Sequence, residues 1–209
     1  MLPTLALLAR SWDVVAPDLP GFGLSERPRR PLTLVGLADS LVAWMSLTDR
    51  SRAVLLGNSV GCQVISTLAS RAPDRVSAAV LVAPTMDPSA GPAPRLLARL
   101  LLDGPRERPS ELPLDLGDYR RAGVGGIWRT FQDAARAPVA DQLRAMAMPT
   151  LVVRGSRDPI VSAAWSRQVS ELLPDGRLAI VQGAPHAVNY SAPEALVALV
   201  EPFLRGLPG

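Results

Sequence analysis

The 209-residue sequence predicts an α/β fold, a mostly parallel sheet with helices on both faces. Two observations support this prediction. Short apolar runs of strand length alternate along the chain with longer segments whose apolar residues recur at helical spacing, and strands joined through helices run parallel. The composition of 48% hydrophobic and 20% charged residues suits one globular domain with a sizeable core.

The first half of the chain predicts three strands and three helices. In order they are a short helix over 1–9, a strand at 14–16, a helix over 33–48, a strand at 53–56, a helix over 60–70 and a strand over 76–83. Proline and glycine cluster after the first strand, at 17–23, and predict a long loop there. Thr33 precedes leucines at helical spacing, so it is expected to cap the second helix.

The character of the chain changes between 85 and 148. Proline and glycine cluster at 84–94 and 104–113, with helical patterns around 95–102, 127–136 and 139–147. These features predict a helical insertion rather than a second core. Alternation then returns, with a strand at 150–153, a helix over 163–173, a strand at 178–181 and a helix over 193–204 that begins with proline. The predicted organisation is a core formed by 1–84 and 149–209, interrupted by the insertion 85–148.

The charge pattern argues against a nucleic-acid partner, although the calculated pI is about 9.9. All 22 basic residues are arginine, they are scattered, and the net charge is only +3. No aromatic residues alternate with them to form a stacking surface. The apolar start of the chain is too short to span a bilayer and lacks a basic leader, and a single cysteine suits a reducing compartment. We therefore expect a cytoplasmic protein with no nucleic-acid or membrane partner.

Ser59 is the first candidate for chemistry. It lies in Gly57-Asn58-Ser59-Val60-Gly61, directly between a predicted strand and a predicted helix. A sharp turn of this kind leaves the central side chain exposed above the sheet, and the start of the following helix favours negative charge nearby. The alternative is a glycine-rich connection that carries a surface serine.

His186 is the only histidine in the chain, so it alone can act as a histidine base for Ser59. It lies in the loop that follows the predicted strand 178–181, where sheet-edge sites collect. An imidazole base also needs an acceptor that fixes its tautomer. Asp158, just past the strand at 150–153, is the preferred candidate, although an Asx turn before proline would also explain it; Asp87 is its competitor.

Four motifs together resemble the α/β-hydrolase family, in its cap-bearing branch. They are Asp18-Leu19-Pro20-Gly21-Phe22-Gly23-Leu24-Ser25, Gly57-Asn58-Ser59-Val60-Gly61, Gly155-Ser156-Arg157-Asp158 and Gly183-Ala184-Pro185-His186. The chain order of serine, aspartate and histidine is also the order expected for such a hydrolase. The resemblance implies that the insertion is a cap over the site and that the Val60 amide forms half of an oxyanion hole. We expect Cys62, which follows the serine, to be a small core residue rather than a second nucleophile.

One part of the family pattern has no counterpart in this sequence. The family's first strands and the His-Gly loop that supplies the second oxyanion amide would precede residue 1, and no His-Gly pair occurs anywhere. In the family, a further strand would lie between the predicted strands 14–16 and 53–56. We expect that residue 1 is an internal methionine of a longer product that contains it. Otherwise those two strands close up, or a second chain of a homo-oligomer fills the gap between them. Loss of one oxyanion donor typically lowers the rate by ~10²–10³.

The function predicted from sequence is a serine hydrolase that needs no cofactor or metal. Its substrate would be a small acyl compound, namely an ester, a thioester, a lactone or an activated C–C bond, and Trp128 and Phe131 suggest an apolar acyl group. A cofactor-free perhydrolase resembling haloperoxidases would use the same triad and stays open. The alternative from another class is a catalytically impaired or non-catalytic scaffold that binds a ligand or partner. Halide cleavage is disfavoured because it requires aspartate in place of Ser59.

Overall fold

A computed structural model describes residues 1–85, 87, 99, 101–110, 113, 117 and 132–207. Its sheet has four strands in the order β1-β2-β3-β4, and every pairing is parallel, as predicted. The strands are β1 (Ala53–Asn58), β2 (Val76–Val82), β3 (Thr150–Gly155) and β4 (Gly176–Val181). Because all four run in the same direction, the loops that follow them emerge at one edge of the sheet.

The helices of the described residues connect and flank these strands. They are α1 (Leu2–Leu8), α2 (Leu34–Leu47), α3 (Val60–Arg71), α4 (Val139–Ala145), α5 (Ala163–Leu172), α6 (Val188–Ser191) and α7 (Pro193–Arg205), with 3₁₀ turns at Pro73–Arg75 and Gly104–Arg106. In this part of the chain, no helix combines the length and apolar character needed to cross a membrane.

Both faces of the sheet are buried, which explains why β2 is apolar at every position except Ser77. Ala79 and Leu81 face one core cluster together with residues of α2, α3 and α5. Val80 and Val82 face the second cluster together with residues of α1 and α7. Alternate side chains of one strand therefore enter opposite layers, as expected for a parallel sheet between helices.

The predicted strand at 14–16 is wrong. The segment has no strand assignment, and β1 pairs only with β2 among the described residues. Val14 packs at the border of the second core cluster, whereas Val15 is 47% exposed. An apolar triplet becomes a strand only when a neighbouring strand accepts its backbone hydrogen bonds, and no described strand does so here.

Local capping signals set the helix ends largely as predicted. The Thr33 hydroxyl accepts a hydrogen bond from the Gly36 amide at 3.1 Å, which satisfies one of the free N–H groups at the start of α2. Pro193 occupies the first turn of α7, where its missing N–H costs nothing. The element bounds differ from the predictions by one or two residues at most ends.

The predicted insertion is described only in part. Residues 101–103 and 132–136 are helical, the latter within the predicted helical pattern 127–136, whereas Trp128 and Phe131 lie outside the described residues. Residues just before β3, including Leu143 and Met146, are buried in the same cluster as α3. Gln142 also hydrogen-bonds Ser66 and Thr67 of α3, at 3.1 and 3.2 Å. The division at residue 148 stays a prediction.

Candidate active site

Ser59 occupies a tight turn between β1 and α3. Its backbone has φ 56° and ψ −119°, a positive φ that is strained for a residue with a Cβ. Its amide donates to the Val82 carbonyl of β2 at 2.9 Å, which fixes the turn at the end of the sheet. The serine side chain is thereby held at the edge where the strands end, as the sequence predicted.

Gly57 makes this turn sterically possible. A Cβ at this position would lie 2.7 Å from the Gly61 carbonyl carbon and 2.8 Å from the Ile65 Cδ1 atom. A Cβ on Gly61 itself would meet no atom within 4 Å. The two glycines of the motif therefore differ, because only the first allows the close approach of strand and helix.

Val60 is the first residue of α3, so its N–H has no acceptor within the helix. The positive end of the helix dipole lies at the same place. The start of a helix favours negative charge nearby, and Val60 directly follows Ser59 in the chain.

Cys62, the third residue of α3, is a core residue as expected. It is 3% exposed, and its Sγ atom lies 3.2 Å from the carbonyl oxygens of both Gly57 and Val82. Burial raises the pKa of the thiol far above its ordinary value. A protonated, buried thiol is a poor nucleophile.

Asp158 and His186 meet at the same edge of the sheet. The Nδ1 atom of His186 and the Oδ2 atom of Asp158 lie 2.9 Å apart, and both side chains are buried. The second oxygen, Oδ1, accepts from the amides of Ile160 and Val161 at 2.7 and 2.9 Å. The carboxylate is therefore fixed in a turn and presents one oxygen to the imidazole.

Arg154, which is 8% exposed, stabilises the loop that carries Asp158. Its guanidinium donates to the carbonyl oxygens of Asp158 and Val161 at 2.8 and 2.7 Å. This buried arginine was not identified from the sequence. Both of its hydrogen bonds are accepted by backbone oxygens. A charged donor that satisfies two carbonyls gives the loop a defined shape.

Gly155 brings the aspartate loop and the histidine loop together. A Cβ on this residue would lie 2.1 Å from the Pro185 oxygen and 2.3 Å from the Ala184 oxygen. Arg157 also donates its amide to the Ala184 carbonyl at 3.0 Å. Gly155 and the ends of β3 and β4 thus bring the two side chains to their 2.9 Å contact.

His186 lies next to the Ser59 turn. The side-chain amide of Asn58 donates to the His186 carbonyl at 3.4 Å. Among the hydrogen bonds of the described residues, none joins the Ser59 hydroxyl to the His186 ring. Such bonds are often long before substrate binds.

The environment of the imidazole is acidic. Burial by itself lowers the pKa of His186, but the hydrogen bond and charge of Asp158 raise it, and the charges of Asp103 and Glu107 add to that effect. The result is a pKa above the ordinary value of 6.5. Asp103 and Glu107 were not identified from the sequence, because they come from a segment about 80 residues away.

Asp87, the alternative partner for the imidazole, points elsewhere. Its carboxylate accepts a hydrogen bond from the Ser162 hydroxyl at 2.6 Å, at the start of α5. Of the two aspartates considered from the sequence, the structure places Asp158 against His186.

Comparison with known proteins agrees with this architecture. A family model described as alpha/beta hydrolase fold matches residues 3–118, and a second one, described as TAP-like protein, matches residues 126–207. The first covers more than half of the chain, so the protein belongs to the α/β-hydrolase fold family.

Named relatives cover nearly the whole chain. The chain is 28% identical to 2-(acetamidomethylene)succinate hydrolase of Mesorhizobium japonicum, over 97% of this chain and 82% of that protein. It is 29% identical to pimeloyl-[acyl-carrier protein] methyl ester esterase of Neisseria meningitidis, over 95% and 85%. Among solved structures, a thermophilic esterase from Thermogutta terrifontis shares the fold, with a TM-score of 0.76, 22% identity, and coverage of 98% and 84%. These similarities support a hydrolase.

Proposed function

We propose that the protein is a serine hydrolase in which Ser59 is the nucleophile, His186 the general base and acid, and Asp158 the residue that orients the imidazole. The observation that carries the proposal is the 2.9 Å contact between His186 Nδ1 and Asp158 Oδ2 beside the strained Ser59 turn. A carboxylate on Nδ1 keeps that nitrogen protonated, so the other nitrogen, Nε2, is free to accept a proton.

The reaction follows from these positions. The Ser59 oxygen attacks the carbonyl carbon of the substrate while its proton moves to His186 Nε2. The negative charge that develops on the carbonyl oxygen is stabilised by the Val60 N–H. Collapse of this intermediate breaks the bond to the leaving group, which takes the proton from His186 and leaves an acyl-enzyme.

Water completes the cycle. His186 removes a proton from a water molecule, whose oxygen attacks the acyl carbon, and the bond between that carbon and Ser59 then breaks. The serine oxygen recovers its proton from His186, and the acid is released. These steps use only groups of the chain itself and water, so the proposed mechanism needs no cofactor or metal.

The proposed substrate is a small ester, thioester, lactone or activated C–C bond of an acyl compound. Support for an ester comes from the relative named as a methyl ester esterase, and support for a broader hydrolase from the relative named for 2-(acetamidomethylene)succinate. A cytoplasmic location and the absence of nucleic-acid or membrane partners remain predictions from the sequence.

A non-catalytic scaffold is the second candidate. It is favoured by one observation, that no hydrogen bond links Ser59 to the imidazole in the described part of the chain. In that case the buried His186–Asp158 pair would serve stability rather than turnover.

Ester turnover distinguishes the two functions. We would measure hydrolysis of p-nitrophenyl esters of increasing acyl length by the wild type, by Ser59→Ala and by Ser70→Ala, and trap the acetylated protein by intact mass spectrometry after acid quenching. Ser70 is a control because it lies at the far end of α3. Turnover and an acyl adduct in the wild type and Ser70→Ala, but not in Ser59→Ala, are expected. A folded wild type with neither would support the scaffold.

A further inference from the structure

Two carboxylates of the predicted insertion, one buried (Asp103) and one half-buried (Glu107), contact the loop that carries His186. The Asp103 Oδ1 atom accepts from the His186 backbone amide at 3.3 Å. The Glu107 Oε1 atom accepts from the Ala187 amide at 2.6 Å, and its Oε2 atom accepts from the Ser191 hydroxyl at 2.5 Å. Three hydrogen bonds thus join one short segment of the predicted insertion to a loop 80 to 84 residues further along the chain.

Two of these bonds are accepted from backbone amides, those of His186 and Ala187. His186 and Ala187 immediately precede α6, so their amides take no part in its hydrogen bonds and need acceptors elsewhere. A carboxylate that accepts from such amides forms a charge-assisted bond, which is stronger than a neutral one. The two acidic side chains therefore fix the backbone from which the imidazole extends.

The opposite side of the loop is held less firmly. Its contact with the Ser59 turn is the 3.4 Å bond from Asn58 to the His186 carbonyl. The ring itself is held by Asp158 at Nδ1. The side-chain orientation is thus set by Asp158, whereas the position of the backbone depends on Asp103 and Glu107.

We propose that Asp103 and Glu107 are positioning residues for His186, which hold its backbone so that Nε2 faces Ser59. This inference rests on the function proposed above and deepens it, because it makes the insertion part of the machinery that places the base. Neither carboxylate contacts the reacting atoms.

The electrostatics give the arrangement a measurable signature. Burial, followed by the nearby Glu107 carboxylate, raises the pKa of Asp103 from 3.8 to about 7. Both carboxylates also raise the pKa of His186, in addition to Asp158. Removal of either charge is therefore expected to lower the pKa of His186, because a nearby anion favours the imidazolium.

Charged and titratable groups of the described residues also lie on the two segments that meet at the pair. Arg106 and Arg108 flank Glu107 on the same segment and are exposed, and Arg106 donates to the Leu102 carbonyl. From the histidine loop, Tyr190 contacts the Ser110 hydroxyl at 3.1 Å. Asp158 contacts the other side of this loop, at the Nδ1 atom of the His186 imidazole.

The test compares Glu107→Ala, Glu107→Gln and Asp103→Asn with the wild type. The control, Asp141→Ala, removes a carboxylate of the insertion whose side chain is 80% exposed. His186 is the only histidine, so its Cε1–H resonance can be titrated by NMR without assignment of others. Exchange of the Ala187 amide and the rate of fluorophosphonate labelling against pH complete the measurements.

We expect Glu107→Ala to lose protection at the Ala187 amide and to label about tenfold more slowly at the pH plateau, as loss of a charge-assisted bond implies. Glu107→Gln, which keeps an acceptor, should label within about threefold of the wild type. Glu107→Gln and Asp103→Asn should both lower the pKa of His186. Asp141→Ala should change none of these quantities.

The proposal is overturned if the pKa of His186 and the protection of the Ala187 amide are the same in all variants, or if Glu107→Gln labels as slowly as Glu107→Ala. If Glu107→Ala does not fold, Glu107→Gln and Asp103→Asn decide the question through the histidine titration. A wild type that is not labelled would contradict the proposed hydrolase function. The NMR titration and the amide exchange would still test the positioning role, because neither needs a reactive serine.

Discussion

Replacement of Asp158 by asparagine tests the orientation of the imidazole. The Oδ1 atom accepts from the amides of Ile160 and Val161 at 2.7 and 2.9 Å, so the amide oxygen of asparagine should remain there. Its NH₂ group then replaces Oδ2 at 2.9 Å from the His186 Nδ1 atom. An NH₂ group donates rather than accepts, so the imidazole must place its proton on Nε2.

The expected loss is large because Nε2 is the atom that receives the serine proton. A ring with the wrong tautomer typically lowers kcat by about 10⁴, which corresponds to about 5 kcal/mol of transition-state stabilisation. The pKa of His186 should also fall, because burial opposes the charged ring and the main anionic partner has gone. The assay is kcat/KM on a p-nitrophenyl ester, together with the NMR titration of the single histidine.

Asp87→Asn is the matched control. This carboxylate accepts from the Ser162 hydroxyl at 2.6 Å, and an asparagine oxygen can do the same. We expect its kcat/KM to stay within about threefold of the wild type, in line with a neutral hydrogen bond that is preserved. An Asp158→Asn variant that keeps more than a tenth of the activity would refute the reasoning, as would a larger loss in Asp87→Asn.

Three further predictions concern stability. Gly57→Ala should lower the free energy of unfolding by about 3 kcal/mol, since its Cβ would overlap the helix, whereas Gly61→Ala should change it by less than ~1 kcal/mol; urea unfolding measures both. Thr33→Ala should cost about 1 kcal/mol in the same assay, because α2 loses its cap. The pKa of Asp103 is raised from 3.8 to about 7 in the folded state, so the wild type should lose free energy of unfolding as the pH rises through this range. Asp103→Asn has no such group, and its stability relative to the wild type should therefore increase over the same range.

Each of these has a clear contrary result. Equal unfolding midpoints for the two glycine variants would mean that the strand and helix do not approach as described. A Thr33→Ala variant as stable as the wild type would show that the cap contributes nothing. A constant stability difference between Asp103→Asn and the wild type across pH 4–8 would mean that burial does not perturb this carboxyl.

The pH dependence of the reaction follows from the histidine. The base must be neutral to accept the serine proton, and its pKa lies above 6.5. Activity should therefore rise with pH through a midpoint above 6.5 and then level off. A kcat/KM profile that is already flat below pH 6 would contradict this environment for His186.

Much of the fold was predictable because the signals were local. Thr33 marks the start of α2, and the glycines around Ser59 mark the turn between β1 and α3. The strand at 14–16 was not correctly predicted, since a strand depends on a partner that the segment itself does not encode. The strand propensity of Val14-Val15-Ala16 is equally compatible with an extended segment that pairs with no strand and lies at the edge of the core.

The site was predictable in its residue types but not in its supports. A single histidine left no choice of base, and the loops after parallel strands place Ser59, Asp158 and His186 at one edge. Asp103 and Glu107 also contact that edge, but they lie about 80 residues before His186 in the sequence. The spacing of acidic residues in a proline-rich segment does not predict which of them will contact the histidine loop.

The central claim is that Ser59 is activated by His186. The most direct measurement is the rate of labelling by a fluorophosphonate, with the site mapped by peptide mass spectrometry, in the wild type, Ser59→Ala and His186→Gln, each confirmed as folded by circular dichroism. The account predicts a single adduct on Ser59, no adduct in Ser59→Ala and labelling slower by at least ~10³ in His186→Gln. A folded wild type that stays unlabelled, or one labelled equally fast without His186, would contradict it.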